Sequence, residues 1–153
     1  MEALDSFDLA ILRLMQANAR LKTEAIAEEV GLSATAVQRR IKRLRDAKII
    51  ASEVAVLDAE KLGGLLTAVV GVTLHQGSPD AMASFQKRIQ REDAVQQCYW
   101  VTGGYDFVLI VTAPRMSDYE ALAQSLFIEN AAVRRFDTFV ALSAPKASLS
   151  IPL

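Results

Sequence analysis

The first fifty residues carry apolar side chains at helical spacing. Phe7, Ile11 and Met15 lie four residues apart, so that they share one face of a helix. Asp5 precedes this stretch, and aspartate commonly caps helices through its side-chain oxygen. The pattern predicts a first helix that begins after Asp5 and ends near Asn18.

A second apolar stripe follows a short polar link. Ile26, Ala27 and Val30 predict a helix that is capped by Thr23. Gly31 can adopt the left-handed backbone conformation that ends a helix. The pattern therefore predicts a short second helix followed by a tight turn.

The third stripe consists of Val37, Ile41 and Leu44, and Ser33 precedes it as a predicted cap. At about 100° per residue these apolar side chains share one face, while the opposite face is basic and polar. Helix, glycine turn and basic helix form the helix-turn-helix pattern, whose second helix enters the major groove of DNA. We expect the contacts to double-stranded DNA to come from Ser33, Thr35, Gln38, Arg39, Lys42 and Arg43. The alternative is a three-helix bundle whose basic face is only solvated.

From residue 50 the spacing of the apolar side chains changes to two. Residues 50–57 predict a strand, interrupted by Ser52 and Glu53, that would begin a wing after the third helix. Residues 58–64 predict one helical turn ended by Gly63 and Gly64. This segment is expected to link two domains.

The rest of the chain alternates β-branched runs with amphipathic stretches. Strands are predicted at residues 65–75, 95–101, 107–112 and 133–142. One intervening helix is predicted with Ser78 as its cap and Pro79 at its first position, and another begins at Met116. The order β-α-β-β-α-β is that of a ferredoxin-like α+β sandwich with two helices on one face of a four-stranded antiparallel sheet. The other face is too apolar to remain in water, and we expect it to pair with a second copy of the chain.

These patterns predict three segments. Residues 1–50 form a winged helix-turn-helix DNA-binding domain, residues 51–64 a linker strand and turn, and residues 65–153 an αβ-sandwich for oligomerisation, to which the family resemblance given below adds effector binding. The charge distribution agrees with this division. The 153-residue chain has a net charge of −1, but residues 1–50 hold nine Lys or Arg against seven Asp or Glu, while residues 51–153 hold eight against eleven. Positive charge is therefore local, as in a protein that contacts nucleic acid with one part only.

The sequence contains little chemistry for catalysis or metal binding. His75 is the only histidine and Cys98 the only cysteine, and no nucleophile–base pair, metal cluster or phosphate-binding loop is evident. We expect no enzyme activity, no metal site and no cofactor, and we expect Cys98 to be buried in its strand. The lone cysteine, together with the lack of a signal peptide or a long apolar run, predicts a soluble cytoplasmic protein without a membrane partner.

The connection between the second and third predicted strands could bind a small zwitterion. Gly103 and Gly104 leave backbone N–H groups open to a carboxylate, Asp106 can accept from an ammonium group, and Thr102 offers a hydroxyl. An amino acid carries both charges. The alternative is a simple hairpin turn in which Asp106 bonds to its own backbone.

Five fragments in a fixed order carry a family resemblance. They are Leu4-Asp5 with Asp8 and Ile11-Leu12, Val30-Gly31-Leu32-Ser33 with Arg39-Arg40 and Arg43-Leu44, Leu57-Asp58 with Leu62-Gly63, residues 98–107, and Thr138. On these residues the chain resembles the Lrp/AsnC family of feast/famine, leucine-responsive transcription regulators over nearly its whole length.

The resemblance implies a winged helix-turn-helix and a sensing domain that forms homodimers, which often assemble into octamers. It also implies a small-molecule effector, typically an amino acid, bound between dimers beside a loop that corresponds here to Thr102, Gly103, Gly104, Tyr105 and Asp106. The expected function is sequence-specific DNA binding modulated by that effector. The alternative is a largely ungated protein of the same family that wraps DNA.

Three departures from the family pattern bear on the effector and the base contacts. Ala34 and Ala36 replace prolines after the capping serine, Asp106-Phe107 replaces Asp-Tyr, and Ala131-Ala132-Val133 replaces a Pro-Gly. Alanine favours a continuous helix, so base contacts near the start of the third helix are expected to differ. The fold prediction is unaffected.

Overall fold

The computed structural model describes residues 3–75 and 79–153. It divides into two compact units, Met1–Val56 together with Lys146–Leu153, and Leu57–Pro145. Ser78, predicted to cap a helix, lies outside the described residues. Within the described parts of the chain, no helix is long and apolar enough to cross a membrane.

The first unit contains three helices, α1 (Ser6–Ala17), α2 (Thr23–Val30) and α3 (Ala34–Asp46). The predicted cap of α1 is confirmed as a reciprocal capping box, because Asp5 accepts the Asp8 N–H and Asp8 accepts the Asp5 N–H. The predicted cap of α3 is also confirmed, since the Ser33 hydroxyl accepts the Ala36 N–H at 3.2 Å.

The predicted cap of α2 is wrong. The chain already turns into the helix at Lys22, so that Thr23 is the first helical residue. Lys22 has no oxygen in its side chain and makes no side-chain cap bond. The first hydrogen bonds of α2 therefore come from the backbone alone, with the Lys22 carbonyl accepting from the Ala25 and Ile26 N–H groups.

The turn between α2 and α3 is held by Gly31. Its φ of 71° lies in the left-handed region that glycine adopts without strain. Leu32 N–H then reaches the Ala27 carbonyl at 3.0 Å, which closes the end of α2. Because only three residues separate the helices, the helix-turn-helix geometry follows from this turn.

The core of the first unit joins one face of each helix. The buried side chains are Ile11 and Met15 from α1, Ile26 and Ala27 from α2, and Val37 and Ile41 from α3. They match the predicted apolar stripes except at Phe7, which was predicted to share the face of Ile11 and Met15 but is 39% exposed. Their burial leaves the opposite face of α3 uncovered by the rest of this unit.

The strand predicted at residues 50–57 is not formed. Residues 51–58 have no regular secondary structure, and Val54, Val56 and Leu57 are exposed. A strand requires a neighbouring strand for its backbone hydrogen bonds, and none of the described strands lies beside this segment. An ion pair of 2.7 Å between Arg45 and Glu53 connects the segment to α3.

The second unit is a four-stranded antiparallel sheet with helices. In chain order its elements are β1 (Leu66–Leu74), α4 (Pro79–Ile89), β2 (Val95–Trp100), β3 (Phe107–Ala113), α5 (Met116–Ala123) and β4 (Val133–Val140), and a π-helical segment, Gln124–Ile128, continues α5. The strand order is β2-β3-β1-β4, and every neighbouring pair is antiparallel. The ferredoxin-like α+β prediction is confirmed.

One face of this sheet is buried under the helices. β3 alternates strictly between buried and half-buried side chains, as a strand with two unlike faces does. The ring of Phe85 from α4 packs against Phe107 of β3 with a centroid separation of 5.2 Å. Phe127 of the π-helical segment packs against Phe136 of β4 at 5.0 Å. The helices thus cover this one face, with contacts both on β3 and on β4.

The opposite face, which we call the open face, is not covered by any described element of the unit. It is formed by alternate residues of the strands, among them Val69, Val108, Ile110 and Phe139. Phe139 is 58% exposed. An apolar face left open in one chain agrees with the predicted layout of the sandwich.

Candidate DNA interface and sensing turn

The uncovered face of α3 carries most of the predicted DNA contacts. Five of the six predicted side chains are exposed, namely Ser33, Thr35, Gln38, Arg39 and Lys42. The buried stripe of Val37, Ile41 and Leu44 holds the opposite side of the helix. The helix therefore presents hydroxyl, amide and cationic groups together on one surface, which are the groups that bind phosphates and base edges.

The sixth predicted contact, Arg43, lies on the flank of α3 and turns toward α1. Its guanidinium donates to the carboxylate of Asp8, and Arg40 donates to the other oxygen of the same carboxylate at 2.8 Å. Asp8 is 0% exposed. The sequence analysis did not identify this cluster, because a helical wheel of α3 alone cannot show that the start of α1 lies beside its flank.

Burial and hydrogen bonds act in opposite directions on Asp8. Burial raises the pKa of its carboxyl, but hydrogen bonds from Arg40, from Arg43 and from the Asp5 N–H together lower this pKa by a larger amount. The pKa of Asp8 therefore lies below its ordinary value. Hydrogen bonds to the carboxylates of Asp8 and Asp5 raise the pKa of Arg40. Arg40 also lies 5.5 Å from the centre of the Phe7 ring, in range of a cation–π contact. Both arginines thus attach α3 to α1.

Lys42 has a different environment. Its ammonium lies 2.6 Å from the Asp46 carboxylate one turn along, and both side chains are largely exposed. Exposed pairs of this kind contribute little to stability, typically below about 1 kcal/mol. Lys42 can therefore exchange Asp46 for a phosphate at low cost, whereas Arg40 cannot leave Asp8 without removing one of the two cations that neutralise a buried carboxylate.

The second predicted site, the sensing turn of residues 102–106, connects the antiparallel neighbours β2 and β3, as predicted. Gly103 has a φ of 129°, which strongly favours glycine. A side chain at Gly104 would meet open space. Among the described residues, none accepts a hydrogen bond from the N–H groups of Gly103 or Gly104. These two amides are free to bind an anion.

Asp106 anchors the turn to β1. Its backbone N–H donates to the Val72 carbonyl at 2.9 Å, and its carboxylate accepts the Leu74 N–H at 2.7 Å. Its own carbonyl accepts the Val101 N–H at 3.0 Å. One oxygen of the carboxylate is thereby used within the fold, and the other can still accept from a ligand.

Tyr105 lies directly on Gly71 of β1. An ideal Cβ built on Gly71 would be 2.7 Å from three atoms of the Tyr105 ring. Gly71 is buried and Tyr105 half-buried. Because Gly71 alternates with the core residues Val70 and Val72, the ring rests on the open face and not on the helical face.

The edge strand β2 differs from its prediction in one respect. Cys98 is exposed, although it was expected to be buried, because β2 has a neighbour on one side only. Tyr99 and Trp100 are also exposed, at 53% and 69%. A groove of about 510 Å³ runs between this strand and α4, but none of residues 102–106 lines it.

No described group of His, Cys, Asp or Glu side chains has three or more members placed to hold a metal ion. A second groove, of about 400 Å³, lies between α4 and the π-helical segment, and its lining includes Lys87, Arg88 and Arg91. Arg88 is held there by the hydroxyl and the carbonyl of Ser125. The sensing turn does not line this groove either.

A helix-turn-helix with a free basic face, joined to a ferredoxin-like sandwich, defines a DNA-binding regulator with a separate sensing domain. Comparison with known families agrees with both parts. Residues 4–45 match the AsnC-type helix-turn-helix domain, and residues 67–151 match the Lrp/AsnC ligand binding domain. The chain belongs to the Lrp/AsnC family of transcriptional regulators, and not to a family of enzymes.

Individual relatives extend over the whole length. An uncharacterised HTH-type transcriptional regulator of Sinorhizobium fredii is 39% identical over 150 residues, covering 98% of this chain and 89% of that protein. The leucine-responsive regulatory protein of Haemophilus influenzae is 31% identical, covering 95% and 87%. Among solved structures, a transcriptional regulator of Neisseria meningitidis in complex with L-Met has a TM-score of 0.91 at 27% identity, covering 98% and 97%.

Proposed function

We propose that this regulator binds DNA through the exposed face of α3 as a cytoplasmic homodimer, which assembles further to an octamer, and that an amino acid bound at the sensing turn modulates its DNA affinity. The observation that carries the proposal is the uncovered basic face of α3 directly after the Gly31 turn. The sensing part rests on the free amides of the turn.

On the DNA side, the proposed contacts are Ser33, Thr35, Gln38, Arg39 and Lys42. Arg43 is assigned chiefly to holding α3 against α1, because its guanidinium donates to the buried Asp8 carboxylate. A single helix-turn-helix reads few base pairs, so two copies are needed for a specific site. The open face of the sheet offers the surface for that second copy, since an apolar patch of this kind usually marks an interface.

On the ligand side, the turn has a partner for each charge of an amino acid. The free N–H groups of Gly103 and Gly104 suit a carboxylate. The remaining oxygen of Asp106 and the hydroxyl of Thr102 suit an ammonium group. The relative from Neisseria meningitidis was solved with L-Met, which supports the choice of ligand class.

Gating requires that the ligand prefer one assembly over another. A ligand with equal affinity for the DNA-binding and the non-binding state would change nothing, however tightly it bound. We therefore expect the amino acid to change the assembly of dimers, or the setting of the DNA-binding units, and thereby to change DNA affinity.

The ligand is tested by a thermal melt of the full-length protein with each of the twenty amino acids at millimolar concentration. A ligand present at about 100 times its Kd stabilises by about 2.7 kcal/mol, which is a shift of several degrees. Asp106→Asn is the informative variant, because its amide oxygen can still accept the Leu74 N–H while the negative charge is lost. If an amino acid raises the melting temperature of Asp106→Asn as much as that of the wild type, its binding site lies outside the sensing turn.

The DNA interface is tested by Lys42→Ala, with Lys61→Ala as its matched control. Both lysines are exposed and paired with an aspartate within one turn, Lys42 with Asp46 and Lys61 with Asp58. Lys42→Ala should weaken binding and lower the slope of log K against log salt by about 1, whereas Lys61→Ala should change neither. Equal effects of the two substitutions would contradict the proposed interface.

If no amino acid shifts the melt and random DNA competes nearly as well as a target site, the protein is an ungated DNA-wrapping member of the family. In that case Asp106→Asn leaves DNA binding unchanged, and the steep salt dependence remains.

A further inference from the structure

The contact between Gly71 and Tyr105 suggests how the sensing turn is fixed in place. Glycine in the interior of a strand is unfavourable, since it loses more backbone freedom than other residues and packs no side chain. β1 contains Gly71 at its sixth position, between Val70 and Val72, in a run that is otherwise rich in β-branched residues. Such a glycine is expected where another group approaches the backbone closely.

That group is the Tyr105 ring. Three of its atoms would lie 2.7 Å from a Cβ at residue 71, a distance that real Cβ atoms essentially never show. The neighbours of Gly71 across the sheet are Val108 on β3 and Asp137 on β4. The ring therefore occupies the gap that the missing side chain leaves between these two strands.

We call this position of the Tyr105 ring, on Gly71 and between Val108 and Asp137, the seat. It lies next to the polar end of the open face. Arg135 donates to one carboxylate oxygen of Asp137 at 3.1 Å, and its Nε lies 2.9 Å from the other, buried oxygen. Asp137 raises the pKa of Arg135 through this hydrogen bond and its charge, and the Tyr105 phenol adds to the shift. Within the sensing turn, Tyr105 is thus the residue that lies near the charged pair on β4.

We propose that Gly71 is a positioning residue for the sensing turn, which it fixes by seating the Tyr105 ring on the open face of the sheet. The inference rests on the proposed function in two respects, namely that residues 102–106 bind the effector and that a second copy docks on the open face. Through the seat, the turn is linked to the face on which a second copy docks, so that ligand at the turn and contact at the open face influence each other.

Two kinds of contact would then hold the turn. Asp106 fixes its end to β1, because its backbone N–H donates to the Val72 carbonyl and its carboxylate accepts the Leu74 N–H. The Tyr105 ring fixes its middle, next to the free amides of Gly103 and Gly104. Because a tyrosine side chain can rotate, a methyl group at residue 71 displaces the ring without breaking β1.

Gly71→Ala therefore separates the position of the turn from the stability of the strand. We expect the melting temperature of the variant to stay the same or rise by a few degrees, since alanine is better tolerated than glycine within a strand. We expect amide exchange at Val101 and Asp106, followed by mass spectrometry, to become at least about tenfold faster, because the turn is no longer held at Tyr105. This measurement needs no ligand.

Val69→Ile is the matched control. It also adds one carbon to the open face of β1, two residues from Gly71, but away from the Tyr105 seat. Exchange in the turn should be unchanged in this variant. Equal acceleration in Val69→Ile and Gly71→Ala would show that crowding of the open face in general, and not the seat, is responsible, and would overturn the proposal.

A double-substitution cycle tests the seat itself. If Gly71 serves only to admit the ring, Tyr105→Ala removes the need for glycine, and the pair Gly71→Ala with Tyr105→Ala should match Tyr105→Ala alone within about twofold. If the two fold-changes multiply instead, Gly71 acts independently of Tyr105 and the proposal fails.

The link between Gly71 and effector binding is tested with L-methionine as the probe. Gly71→Ala should weaken its binding at least about tenfold relative to the wild type and to Val69→Ile. Unchanged affinity together with faster exchange would separate the seat from ligand binding and overturn the link to the effector. If the wild type does not bind L-methionine or any other amino acid, the proposed function fails, while the exchange measurement still decides whether Gly71 positions the turn.

Discussion

The Asp8 carboxylate is the contact whose removal should do most damage to the DNA-binding unit. In Asp8→Asn the side chain keeps its size, but the charge that Arg40 and Arg43 bind is lost. Breaking a buried ion pair by removing one partner typically costs about 3–5 kcal/mol. Here the side chains of Arg40 and Arg43 are 23% and 38% exposed and can regain water, so we reduce the expected cost to about 2–3 kcal/mol.

The capping box adds little to this cost. Asp8 accepts the Asp5 N–H at 3.2 Å as the second half of the box, and the amide oxygen in Asp8→Asn can still accept it. The expected cost therefore stays at about 2–3 kcal/mol. A unit of some sixty residues has a total stability of about 3–9 kcal/mol, so Asp8→Asn should lower its melting temperature by about 10 °C or more.

The two units can be followed separately in one sample. Trp100 is the only tryptophan and belongs to the second unit, so its fluorescence reports unfolding of the sheet. Far-UV circular dichroism reports the helices of both. We expect Asp8→Asn to add an early loss of helical signal while the fluorescence midpoint stays in place.

Asp46→Asn is the control for this prediction. It removes an aspartate that also pairs with a cation of α3, but at an exposed site. Its effect should stay below about 1 kcal/mol. If Asp8→Asn destabilises the helical unit no more than Asp46→Asn does, Asp8 does not hold α3 against α1 and the reasoning is refuted.

Three further predictions concern pH, the turn and the sheet. The pKa of Asp8 is lower in the folded state than in the unfolded state. Its contribution to the free energy of unfolding is therefore fully present above the ordinary aspartate value of about 3.9 and should be lost as the pH falls through the folded pKa. In Asp8→Asn the free energy of unfolding should depend less on pH in this acid range. Gly31→Ala places a side chain at a φ of 71° and should cost about 1–2 kcal/mol in the helical melt, whereas no loss would show that the turn relaxes. Thr138→Val leaves the buried Tyr119 hydroxyl without its partner and should cost about 1–3 kcal/mol by Trp100 fluorescence; Tyr119→Phe in the same chain should restore part of it, and failure to do so would exclude the hydrogen bond as the cause.

The fold was largely predictable because its signals are local. Apolar spacing defines each helix and strand, and Gly31 and Ser33 mark the turn and the start of α3 within a few residues of each other. The order of the elements then leaves few topologies for the second half. The exposed face of α3 follows from the same spacing, since the buried stripe at Val37, Ile41 and Leu44 determines which side chains point away.

These errors arose where the deciding feature is a contact, or the lack of a neighbouring strand, that is distant in sequence. Arg43 looked like a surface cation, because nothing near it in sequence indicates the carboxylate of Asp8, which lies thirty-five positions earlier. The strand expected at residues 50–57 has the right composition but no neighbouring strand. Cys98 lies in an apolar stretch, yet its strand is at the edge of the sheet, and strand order cannot be read from composition.

The C-terminal tail makes the DNA-binding unit discontinuous in sequence. Ile151 exchanges two hydrogen bonds with the side-chain amide of Gln16, at 2.8 and 3.1 Å, and Arg13 donates to the Leu153 carbonyl at 2.9 Å, so that the tail packs along α1. A protein shortened to its first 56 residues would therefore lack part of the surface on which α1 normally rests. In a chimaera that exchanges sensing domains between regulators of this family, the last eight residues should be kept with the helix-turn-helix to which they belong, even though the chain reaches them only after the sheet is complete.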